Sequence, residues 1–111
     1  MTRDELIAAL EAATGADRKL DAEIIRHHFG YSKDDPLWHG LEYTASLDAA
    51  LTLVPEGWDE EIKRARHRKG WFASLALNRG PGIGYDGTMH YGDSPVPALA
   101  LLIAILKARK G

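Results

Sequence analysis

The feature that constrains this chain most is an uninterrupted apolar run from Val96 to Leu106, eleven residues that include Pro97. A membrane-spanning helix needs about 20 such residues, so the run predicts a buried core helix in a soluble protein. Ser94-Pro95 reads as its start, with proline in the first turn. Lys107, Arg109 and Lys110 suit the C-terminal end of the helix dipole. The helix is apolar all round, so it must be covered on several sides. Leu99, Leu102, Ile103 and Leu106 are expected to pack on a strand face made of Trp71, Leu75, Leu77 and Tyr85. The chain has 111 residues, enough for one domain and not for two.

Upstream, the periodicities suggest a helical hairpin over 2–29, a long loop over 30–43 and an α-β-β-β-α unit over 44–110. Thr2 and Glu5 have capping-box spacing. Leu6, Ile7, Leu10 and Ala13 follow on one helical face, and Gly15 is placed to end that helix. A second helix starts near Asp17, carries Leu20, Ile24 and Ile25, and closes at Gly30. Residues 30–43 show no periodicity, and loops of that length are often functional. Thr44 or Ser46 caps a short helix with Leu47, Ala50, Leu51 and Val54 as its stripe, stopped by Pro55-Glu56-Gly57.

Three strands then follow. Residues 58–66 make a charged strand with Trp58 and Ile62 on one face, and His67-Arg68-Lys69-Gly70 a hairpin turn. In 71–77, Trp71, Ala73, Leu75 and Leu77 point inward and Phe72, Ser74 and Ala76 outward. Arg79-Gly80-Pro81-Gly82 is a second turn. In the third strand Ile83, Tyr85, Met89 and Tyr91 share one face, opposite Asp86, Thr88 and His90. Strand alternation assigns most of the tryptophans and tyrosines to the core. The expected fold is α+β: a three-stranded antiparallel sheet packed with about four helices.

Composition removes several function classes. There is no cysteine, which excludes disulfides, thiolate zinc sites, iron–sulfur clusters and a thiol nucleophile. The N-terminus is charged from its third residue, which is not the pattern of a secretory signal. The formal net charge is −2, but the charge is split along the chain. Residues 1–61 carry 5 basic and 14 acidic side chains, and residues 62–111 carry 9 and 2. Such a split marks either an anionic partner for the basic half or two halves that neutralise each other on folding.

Two stretches are more distinctive than their physics requires: Tyr43 to Trp58 (YTASLDAALTLVPEGW) and Ser94 to Arg109 (SPVPALALLIAILKAR). With the opening helix pair, they resemble the phage ABA-sandwich domain of small phage and prophage proteins. The resemblance covers about two thirds of the chain. It implies an α/β/α sandwich, a phage origin and a place in the cytoplasm of a bacterial host. It brings no agreed catalytic residues.

The run Lys63-Arg64-Ala65-Arg66-His67-Arg68-Lys69 puts five fixed positive charges in seven residues. On a hairpin tip these repel one another, and an anion, phosphate above all, would relieve them. A solvated turn paired with Glu60 and Glu61 is the plainer account. The glycines of Arg79-Gly-Pro-Gly-Ile-Gly84 lack a Walker lysine and a strand-to-helix setting, but beside Arg79 their backbone N–H groups could line an anion site. Trp38, in the loop, is the candidate aromatic contact. The candidate ligand-binding set is therefore Lys63, Arg64, Arg66, Arg68, Lys69, Trp38 and Arg79.

Catalytic and metal readings are weaker. His27 and His28 are adjacent, about 100° apart on a helix, and His39, His67 and His90 are scattered, so neither a metal site nor any cofactor is expected. His90 with Asp86 is at most a weak acid/base pair. Ser94, His90 and Asp93 have triad residue types but lie too close in sequence, and Asp34-Asp35 lacks the further acids of a cation site. The reading is a non-enzymatic phage accessory protein acting by binding. In its concrete form it is counter-defence, by sequestering a phosphate-bearing nucleotide or blocking a host defence protein. The alternative is a nucleic-acid-binding module, because α-β-β-β-α is also the element order of double-stranded-RNA-binding domains. Against it, the last helix starts Ser94-Pro-Val-Pro-Ala-Leu99, with no base.

Overall fold

Local chemistry sets the helix ends. The computed structural model describes residues 1–30, 41–64, 70–78, 80, 82 and 85–110, the side chains of Tyr85, Asp86 and Lys110 excepted. Helix α1 (Arg3–Ala12) opens with the full capping box: Glu5 N donates to Thr2 Oγ1 at 3.1 Å and Thr2 N to Glu5 Oε1 at 3.0 Å. It ends on an extended Ala13, ahead of Gly15, which is not a left-handed cap as anticipated. In α2 (Arg18–Phe29), Asp17 accepts from the backbone of Lys19 and Leu20, and Gly30 closes the helix at φ 77°. Helix α3 (Leu47–Leu51) is capped by Ser46.

Thr44 has another role. The carboxylate oxygen Oδ1 of Asp21 accepts from both the backbone N and the hydroxyl of Thr44, each at 2.8 Å. The Thr44 hydroxyl oxygen in turn accepts from the N of Asp17, also at 2.8 Å. Both side chains are buried. This clamp ties the first turn of α2 to the chain entering α3. Tyr43 beside it is 1% exposed, and burial, then the Asp21 charge, raise its pKa.

The sheet is an antiparallel meander of β1 (Trp58–Arg64), β2 (Trp71–Asn78) and β3 (Tyr85–Ser94), in that order. Trp58 pairs with Leu77 and Arg64 with Trp71; Trp71 pairs with Ser94 and Ala76 with Met89. Of the expected inward set of β2, Ala73 and Leu75 are fully buried, Trp71 packs half-buried against the core, and Leu77 is half-buried opposite Trp58. Between Ala76 and Asn78 the pairing shifts, with two extra residues on β3 and Gly87 at φ 87°. The turn and loop segments at 31–40, 65–69, 79, 81 and 83–84 lie outside the described residues.

Helix α4 (Pro97–Lys110) is the centre of the packing. Pro97, not Pro95, takes the first helical position, because Ser94 Oγ accepts from Val96 N at 3.2 Å in a turn before the helix. The helix packs on β2 and β3, and α1 and α3 pack on it in turn; α2 packs on α1. Every residue from Ala98 to Leu106 is at most 3% exposed. No helix among the described residues is long and apolar enough to cross a membrane.

The layers thus run sheet, α4, then α1 with α3. The three-stranded antiparallel sheet and four helices are those expected of the α+β fold, and α4 lies between the sheet and the helices packed on it. The reason is physical: a helix without a polar face must occupy the middle layer. Lys107 Nζ lies 3.6 Å from Glu11 Oε2, and Arg3 Nη1 donates to the Arg109 carbonyl at 2.9 Å. The acidic and basic halves of the sequence meet at these contacts.

The structure corrects one expectation about β3. Met89 and Tyr91 share a face, but it is the face away from the core, where they are 42% and 44% exposed. The inward positions are His90, Gly92 and Ser94. Sterics at Gly92 explain this. A Cβ there would sit 2.0 Å from the Ala100 carbonyl oxygen and 2.9 Å from Ile103 Cβ. Helix α4 comes so close to β3 at this point that only glycine fits.

Two stability predictions follow from this packing. Leu102→Ala should cost about 2–5 kcal/mol in denaturant melts, and a loss below about half a kcal/mol would mean α4 is misplaced. Gly92→Ala should cost about 1–3 kcal/mol or more, because a backbone carbonyl cannot rotate away as a side chain can. A third concerns pH. Burial, and then the Arg109 charge, lower the pKa of His28 at the end of α2. The unfolded chain therefore takes up this proton first. Stability should be full above about pH 6.5 and fall as pH drops through the lowered folded value. His28→Gln should flatten the loss between pH 7 and 5 in thermal melts; an unchanged slope would rule out this linkage.

Candidate functional site

The outer face of the sheet is built by alternation. Reading across it from β1 through β2 to β3, the rows are Lys63–Phe72–Asp93, Glu61–Ser74–Tyr91 and Asp59–Ala76–Met89. The β1 column is charged, the β2 column is mostly small, and the β3 column presents Met89 and Tyr91. Tyr91 and Phe72 rings lie 5.4 Å apart at 30°, and the Tyr91 hydroxyl donates to Met89 Sδ at 3.4 Å. Ser74, between Glu61 and Tyr91, is buried although it faces outward. A shallow trough of about 410 Å³ results, with Ser74 and Ala76 in its floor and Asp59, Glu61 and Met89 at its sides.

Two of the anticipated ligand residues are described, and both rest on aromatic rings of the neighbouring strand. Lys63 Nζ lies 5.6 Å from the Phe72 ring centroid on the outer face and 3.5 Å from Glu61 Oε1. Arg64 Cζ lies 5.3 Å from the Trp71 ring on the inner face. Both side chains are exposed. Such contacts orient a cation without removing its charge. Arg66, Arg68, Lys69, Trp38 and Arg79 lie outside the described residues.

The proposed catalytic groupings do not assemble where they can be seen. Ser94 is fully buried, with its Oγ engaged by Val96 N. Asp93 is on the outer face and His90 on the inner one. His90 sits against Trp58, with ring centroids 5.6 Å apart. Among the described residues, no group of three His, Asp or Glu could hold a metal ion. His39, His67, Asp34 and Asp35 lie outside the described residues, as does the side chain of Asp86.

Phe72 faces outward as its alternation predicts, but the outward turn of the exposed Tyr91 and Met89 beside it is not legible in the sequence pattern, because strand alternation alone cannot say which face of β3 meets the core. The signal was present at Gly92, whose position on the opposite face marks the side that a helix approaches. Chemically, the surface offers flat rings for stacking, carboxylates as hydrogen-bond acceptors and a cation at the hairpin end. Compared with protein-family models, with curated proteins and with solved structures, the chain matches none.

Proposed function

We propose that this chain acts by binding and not by catalysis, and that its ligand is a small phosphate-bearing nucleotide. The observation that carries the reading is the exposed Tyr91 ring beside the half-buried Phe72 ring, with Lys63 over the latter. A base would stack on Tyr91, since stacking accepts any base. Glu61 and Asp59 would accept from ribose hydroxyls or base amino groups. The phosphates would lie toward Lys63 and the basic run through Arg66, Arg68 and Lys69. The three carboxylates on this face, Asp59, Glu61 and Asp93, disfavour a long polyanion and favour a short one. Trp38 and Arg79 remain candidate contacts on sequence grounds.

The biological setting we propose rests on the resemblance of Tyr43–Trp58 and Ser94–Arg109 to the phage ABA-sandwich family. In that setting the protein is a phage accessory factor in the host cytoplasm, used in counter-defence to sequester a nucleotide signal or to block a host defence protein. The second reading, a nucleic-acid module, is favoured by the order α3-β1-β2-β3-α4. It is opposed by a last helix that begins Pro97-Ala98-Leu99, with no base to span phosphates.

Parallel titrations with mono- and dinucleotides, duplexes and candidate host proteins test these readings. Nucleotide binding should weaken on adding salt, drop at least tenfold in Tyr91→Ala, and drop again in Arg66→Ala with Arg68→Ala. Thermal stability of the double-arginine variant should stay nearly unchanged, because on the sequence reading of a solvated turn each charge contributes about 0–1 kcal/mol. Equal binding by wild type and both variants would overturn the nucleotide reading. Tight duplex binding would replace it with the nucleic-acid module.

A further inference from the structure

Strand β1 is an edge strand: it pairs with β2 on one side, and among the described residues nothing pairs with its other side. An open edge presents a row of unpaired backbone N–H and C=O groups, which a second strand can complete. The residues along this edge have a particular order. From Glu60 to Arg64 they read Glu-Glu-Ile-Lys-Arg, two negative, one apolar, two positive. All four charged side chains are exposed, and Ile62 is half-buried. A protective edge needs charge of any arrangement. This arrangement is complementary to itself when reversed.

We propose that β1 pairs antiparallel with β1 of a second copy of this chain, with the two-fold axis at Ile62, joining two three-stranded sheets into one of six. A two-fold axis perpendicular to the sheet keeps each side chain on its own face, so the residue on the axis pairs with itself. At Ile62 the axis sets Glu61 opposite the partner's Lys63 on the outer face and Glu60 opposite the partner's Arg64 on the inner face. Symmetry repeats both, giving four opposite-charge pairs around an apolar centre, at the spacing where cross-strand neighbours interact. Moving the axis to either neighbour would set Glu61 against Glu61, or Lys63 against Lys63. A parallel pairing in register would oppose like charges throughout.

The helical layer leaves room for this arrangement. Helix α4 packs chiefly over β2 and β3, so the inner face of β1 is at the rim of the helical layer. The intrachain contact of Lys63 with Glu61 spans 3.5 Å between exposed groups, which exchange partners readily. The dimer uses Glu61 and Lys63, which the nucleotide reading also uses, but not Tyr91, so Tyr91→Ala should weaken nucleotide binding and leave the dimer unchanged.

The test is sedimentation equilibrium on the whole chain with charge-reversal variants, each checked for folding by circular dichroism. Wild type should approach twice the monomer mass at low salt and fall toward the monomer as salt is added. Glu60→Lys with Glu61→Lys should be monomeric, as should Lys63→Glu with Arg64→Glu, because each strand then repels its copy. Mixing the two variants should restore the doubled mass as a heterodimer. The chain with all four reversals should dimerise again. A wild type that stays monomeric at low salt overturns the proposal. So does dimerisation of either double variant alone, or folded double variants that fail to associate when mixed.

Discussion

The contact on which the rest of the structure depends is the close approach of α4 to β3 over Gly92. Helix α4 has no side that can face water, so it must be enclosed. The sheet can enclose it only where β3 offers no side chain, and Gly92 meets the Ala100 carbonyl within a distance that no Cβ would tolerate. Ser94, two residues on, is also buried and turns its hydroxyl to the backbone of the turn leading into the helix. Helices α1 and α3 then complete the enclosure. The Asp21–Thr44 clamp ties the first turn of α2 to the residues leading into α3.

The same approach decides what the surface looks like. With the inward positions of β3 given to His90, Gly92 and Ser94, the larger Met89 and Tyr91 are turned outward beside Phe72. An apolar stripe on a sheet face is ordinary when a second layer covers it. Here, among the described residues, its neighbours are charged side chains of β1. Packing on one side of a strand has left an aromatic surface on the other.

Electrostatics at the hairpin end serve two ends at once. Lys63 and Arg64 rest on Phe72 and Trp71, so their stems are organised by the fold while their charges stay in solvent. They are also the positive half of a self-complementary edge. The negative half, Glu60 and Glu61, lies immediately before them, so the sign of charge reverses at Ile62. Exposed pairs of this kind contribute little stability. Their order along the edge governs which strand could lie beside it.

Much of the fold is legible in the sequence. Caps at Thr2, Asp17 and Ser46 are local hydrogen-bonding devices, and the stop at Gly30 is a local backbone conformation, so residue type and spacing suffice to locate them. The period-two pattern of Trp71 to Leu77 marks a half-buried strand, and the apolar run marks the core helix. Thr44 was not legible as a clamp, because its partner Asp21 is 23 residues away and only folding joins them. Nor was the outward stripe of β3. Alternation sorts a strand into two faces by chemistry that acts within the strand. Which face turns inward is decided by the nearest packing partner, and for β3 that was the steric demand of α4 at Gly92.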